Sequence, residues 1–123
     1  MKILIAEDSA TIRRLVAARL AADGYDVVEA ADGEEALNLA RSNQPDLLIL
    51  DKVMPKLDGF EVVRALREDP ATKAVPIVML TGSTDEDDVL GGLGLGVDEY
   101  MPKPFSPREL SARVRRTLDR AAR

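Results

Sequence analysis

The sequence is 123 residues long, about one domain's worth of chain, and its 46% hydrophobic and 32% charged residues suit a globular protein that buries a core unaided. It has no cysteine and no histidine, which excludes disulfides, thiolate zinc sites and serine–histidine or cysteine–histidine nucleophilic pairs. A net charge of -5 disfavours contact with phosphate backbones, so direct nucleic-acid binding by this domain is not expected.

The opening Met1-Lys2-Ile3-Leu4-Ile5-Ala6 turns acidic at Glu7-Asp8, too short an apolar stretch for a signal peptide. No apolar run approaches the ~20 residues that cross a bilayer, so a cytoplasmic location with no membrane partner is expected. Residues 3–6 read as a first strand. Ile12, Leu15, Val16 and Leu20 then recur at helical spacing, with Ser9 or Thr11 as candidate cap and Gly24 as the stop. A second strand over 26–30 leads through Asp32 into a helix marked by Ala36, Leu37 and Ala40. Pro45 precedes a third strand over 47–50, and Phe60, Val63 and Leu66 mark the next helix. A fourth strand over 77–80 is followed by an expected helix over 85–95, which carries Gly91, Gly92 and Gly94 at a cost of about 1 kcal/mol each. A fifth strand over 98–101 precedes Ser106-Pro107, a cap followed by a first-turn proline, and a helix on Leu110, Val114 and Leu118. Continuous apolar strands alternating with amphipathic helices predict one α/β domain over 1–123, a doubly wound parallel sheet with helices on both faces.

In such a sheet, ligands gather at the carboxyl ends of the strands. Those ends carry Glu7 and Asp8 after the first strand, Asp51 after the third, Thr81 after the fourth and Lys103 past the fifth. Any one of them is ordinary as a cap, a strand end or a surface charge. As a set they are not. Clustered carboxylates raise one another's pKa values unless a cation intervenes, and an oxygen-only donor set suits Mg²⁺. A carboxylate facing Mg²⁺ and an ammonium group is a plausible nucleophile towards phosphorus.

Glu7-Asp8-Ser9, Asp51-Lys52-Val53-Met54-Pro55, Asp58-Gly59, Thr81-Gly82 and Tyr100-Met101-Pro102-Lys103-Pro104-Phe105, in this order, resemble the CheY-like receiver domains of two-component response regulators. The resemblance covers essentially the whole chain. It implies a flavodoxin-like fold with strand order 2-1-3-4-5 and Mg²⁺-dependent transfer of phosphate from a partner histidine kinase, or a phosphotransfer protein, to an aspartate. By position that acceptor is Asp51. Glu7 and Asp8 would place Mg²⁺, with Asp8 the more direct ligand, beside Asp51 and the backbone carbonyl of Val53. Lys103 would bind the phosphoryl group, its bond to Pro104 being typically cis. Gly59 matches a turn glycine. Thr81 and Tyr100 match the switch pair that would transmit phosphorylation to the fourth helix, fifth strand and fifth helix, and so to a downstream protein or output domain.

Three positions bear on how long the phosphoryl group would last. Val53, at the site entrance, is aliphatic where the family often has an amide or acid that orients water, and Ser83 is short; both imply slow self-dephosphorylation. Gly82 leaves the phosphoryl group accessible. Lys52 should point away from Asp51. Phosphorylation-driven homodimerisation is open, with Arg113 and Arg115 as candidates to pair with Asp98 or Glu99 across the dimer. Asp87-Asp88 and the glycines stand against the familiar dimer, because they occupy positions of its usual contacts. Two other readings remain: a degenerate receiver that binds proteins without taking phosphate, and a metal-dependent phosphatase. The phosphatase generally needs an acid two residues past its nucleophile, where this chain has Val53. The receiver would catalyse its own phosphorylation and have no turnover substrate.

Overall fold

A computed structural model describes residues 1–82 and 96–122. Strands β1 (Lys2–Ala6), β2 (Asp26–Ala30), β3 (Leu47–Asp51), β4 (Ile77–Thr81) and β5 (Glu99–Pro102) form one parallel sheet in the order β2-β1-β3-β4-β5. Each strand lies within about one residue of its expected span. Helices α1 (Ala10–Ala22), α2 (Gly33–Asn43) and α3 (Gly59–Glu68) alternate with them, and a C-terminal helix covers Pro107–Ala121. The expected helix over 85–95 lies outside the described residues.

Side chains alternate across each strand, so the sheet feeds two apolar layers. Ile3, Ile5, Ile49, Val78 and Leu80 pack against Val16 and Leu20 of α1 and Leu110, Val114 and Leu118 of the C-terminal helix. Leu4, Leu48, Leu50 and Met79 face the other way, towards Ala36 and Ala40 of α2 and Val62, Val63 and Leu66 of α3. Burial on both faces explains why β1, β3 and β4 read as unbroken apolar runs.

The helix ends follow the local chemistry. Ser9, Asp32, Asp58 and Ser106 each accept a hydrogen bond from the backbone N–H three residues on, and Asp58 forms a reciprocal capping box with Glu61. Gly24, at φ +98°, supplies the left-handed residue just past α1. Arg67, at the end of α3, ties several loops together. Its guanidinium donates to the carbonyls of Gly96 (2.6 and 3.2 Å), Lys73 (2.9 Å) and Val75 (2.7 Å) and pairs with Asp98 at 3.2 Å.

Candidate functional site

Because all five strands run parallel, their carboxyl ends lie along one edge, where the chain leaves the ladder and side chains are freed from packing. Glu7 sits one residue past β1. Its N–H donates to the Ala30 carbonyl at 3.1 Å, and its side chain is 1% exposed. Asp8, next in the chain, is exposed. Asp51 ends β3 and Thr81 ends β4, both buried. Lys103 follows β5, and its N–H donates to the Thr81 carbonyl at 2.7 Å, which fixes where its side chain starts. The Lys103–Pro104 peptide bond is cis, as the resemblance implied.

The Lys103 ammonium reaches back across the strand ends to Glu7 Oε2 at 3.1 Å and Asp51 Oδ2 at 3.2 Å. The other oxygen of Glu7 accepts the Ser9 N–H at 3.1 Å. One oxygen from each of Glu7, Asp8 and Asp51 lies within 4.8 Å of the others. Three carboxylates gather around one point, and the two buried ones, Glu7 and Asp51, share one ammonium. Burial first, and then the hydrogen bond with Asp51, pushes the Glu7 carboxyl up from 4.5 to about 7. Lys103 is itself pushed down by burial, but its contacts with Glu7 and Asp51 outweigh this and leave it raised. The all-oxygen donor set, its surplus of negative charge and its spacing fit a hard divalent cation such as Mg²⁺.

Other expected positions fall as follows. Val53 is 71% exposed beyond β3, and Gly82 is exposed at the end of β4. The Lys52 ammonium lies 5.7 Å from the Phe60 ring centre, over α3. Tyr100 is half-buried on edge strand β5 and packs against the α2–α3 layer. A Cβ on Gly59 would meet the Asp51 carbonyl oxygen at 2.6 Å, so only glycine lets α3 begin this close to the acceptor strand. Ser83 lies outside the described residues. Arg113 pairs within the chain with Glu99 at 2.7 Å, and Asp98 pairs with Arg67.

Two neighbours of the site were not legible in the sequence. The backbone of Leu57 fills the space where a Gly33 side chain would be, and the Gly33 N–H donates to the Pro55 carbonyl at 3.3 Å, so the start of α2 buttresses the loop after β3. Arg13 on α1 donates to the Glu7 carbonyl at 2.8 Å and to Glu29 Oε1 at 3.0 Å. Neither residue belongs to a motif, and only folding brings them to the site.

Comparison with known proteins agrees with this geometry. Residues 3–115 match the family described as response regulator receiver domain. The chain is 51% identical over 119 residues to a probable transcriptional regulator ycf27 of Porphyridium aerugineum, covering 97% of this chain and 48% of that protein. It is 49% identical over 120 residues to the alkaline phosphatase synthesis transcriptional regulatory protein PhoP of Bacillus subtilis, covering 98% and 49%. The chain thus spans about half the length of these curated relatives. Among solved structures, the chemotaxis response regulator CheY4 of Vibrio cholerae superposes with a TM-score of 0.90 at 39% identity, over 94% of this chain and 97% of that one. The acidic strand-end cluster, the matched residues and these likenesses agree: the chain belongs to the response regulator receiver domain family.

Proposed function

We propose that residues 1–123 form a single receiver domain that accepts a phosphoryl group on Asp51 from the phosphohistidine of a kinase or phosphotransfer protein. An Asp51 oxygen attacks phosphorus, the P–N bond to the donor breaks, and the donor nitrogen leaves with its electron pair. Lys103, already 3.2 Å from Asp51, would follow the negative charge onto the phosphoryl oxygens. Glu7, Asp8, Asp51 and the Val53 carbonyl would hold Mg²⁺, which when bound offsets charge between the carboxylates and the incoming phosphate. Thr81, buried at the end of β4, would turn its hydroxyl to the phosphoryl group, and Tyr100 would move inward behind it. The observation that carries this proposal is one ammonium group shared by two buried carboxylates, with a third in reach of the same point. It favours phosphoacceptor chemistry over a degenerate module, which has no use for so costly a cluster.

An apolar groove of about 470 Å³ opens beside Lys103, lined by Ile12, Leu15, Val16, Phe105 and Leu110. Leu15 is 67% exposed there, and the phosphodonor protein would cover it. The signal would leave through β5, the C-terminal helix and the segment before β5, towards an output domain or a separate protein. Among the described residues no helix is long and apolar enough to cross a membrane. Incubation with Mg²⁺ and acetyl phosphate should add one phosphoryl group by mass spectrometry, and Asp51→Asn should abolish the addition. Sustained phosphate release from many phosphomonoesters would instead support the phosphatase. Exposed Val53 offers water no hydrogen bond, so phosphate should be lost slowly, and faster in Val53→Asn.

A further inference from the structure

We infer that Arg13 is a positioning residue for the acidic pair, acting through the peptide bond between Glu7 and Asp8. The inference rests on the cation-dependent receiver proposed above. The carbonyl of that peptide accepts the Arg13 guanidinium at 2.8 Å, while the same guanidinium is anchored on Glu29 of β2 at 3.0 Å. The Arg13 side chain is 14% exposed, so it is packed in place and not swept through solvent. On the near side of the peptide, the Glu7 N–H is held by the Ala30 carbonyl, and the Glu7 carboxylate by Lys103 and the Ser9 N–H. Asp8, on the far side, is exposed and has no fixed side-chain partner among the described residues. Its direction therefore follows from the plane of the peptide before it, and Arg13 sets that plane. Partners that orient ligands commonly matter for metal affinity about tenfold when removed.

Geometry and charge make opposite predictions here, which makes the test sharp. Arg13 is a cation near a cation site, so if it acted through its charge alone, Arg13→Met would tighten Mg²⁺ binding. If it positions the peptide, Arg13→Met weakens binding about tenfold. Arg13→Lys keeps the charge but cannot hold both oxygens with one planar fork, so it should weaken Mg²⁺ severalfold with no change in net charge. Mg²⁺ affinity is read by calorimetric titration of the unphosphorylated proteins, alongside their melting temperatures without metal. Weakened binding in both variants supports the inference. Tighter binding in Arg13→Met, or unchanged binding in both despite lowered melting temperatures, overturns it. Should Arg13→Met fail to fold, Arg13→Lys decides alone. A parent protein that binds no Mg²⁺ overturns the receiver proposal itself, whereas a parent that binds it beside indifferent variants overturns only the role of Arg13.

Discussion

At the carboxyl ends of the strands, one ammonium serves two buried carboxylates; along the C-terminal helix, three guanidinium groups serve one carboxylate. Lys103 meets Glu7 and Asp51 at 3.1 and 3.2 Å. Glu99 meets Arg113, Arg116 and Arg120 at 2.7, 3.0 and 3.0 Å. The distances barely differ, yet the situations do. Arg116 and Arg120 are 56% and 50% exposed, so water and salt screen them. Glu7 and Asp51 are 1% and 7% exposed, and their charge has nowhere to go. Ion-pair length says little about role. The ratio of charges and the burial of the carboxylates separate the two clusters: a surplus of guanidinium groups around Glu99, a surplus of buried carboxylates around Lys103.

Three experiments would break or sharpen that contrast, taken from the largest effect down. Lys103→Met removes the ammonium that Glu7 and Asp51 share and should slow acetyl-phosphate labelling about a hundredfold, measured by mass spectrometry against time. A rate close to the parent's would show that the buried charges are as replaceable as the exposed ones. The next effect is on pH. The Glu7 carboxyl is raised to about 7 in the folded protein from 4.5, so folding favours its protonated form. Without metal, its contribution to stability is full below about 4.5 and is lost as pH rises through about 7. A divalent cation competes with that proton, so Mg²⁺ should bind up to about tenfold more tightly near pH 8 than near pH 6. Titrations at the two pH values check this, and a flat response would remove Glu7 from the cation's surroundings. Smallest is Glu99→Gln, which should cost no more than about 1 kcal/mol by denaturant melts, less still in high salt.

Most of the architecture could be read from the chain. Strands covered on both faces leave an apolar run that periodicity detects, and Ser9, Asp32 and Ser106 announce helix starts by their own hydrogen-bonding chemistry. The acidic strand ends were legible for a related reason. A carboxylate at the end of an apolar strand contradicts its neighbours, and several such contradictions at corresponding ends point to one place. Arg13, Arg67 and Gly33 were hidden because each meets backbone atoms outside its own helix. Arg67 looks like any charged residue at a helix end, and nothing local says that its guanidinium will gather the carbonyls of Lys73, Val75 and Gly96. Gly33 opens α2, and its missing side chain leaves the space that Leu57 fills, which no local pattern announces.

The Arg67 contacts reach further than the loops they join. They fix Gly96 and Asp98 to the end of α3, and Asp98 in turn bonds the backbone of Ile77 at the start of β4. The chain therefore enters β5 from a fixed point, tied to α3 on one side and to β4 on the other. Lys103, whose N–H is anchored on the Thr81 carbonyl, starts from that same frame. A guanidinium at the far end of α3 thus helps set the origin from which the Lys103 ammonium reaches Glu7 and Asp51.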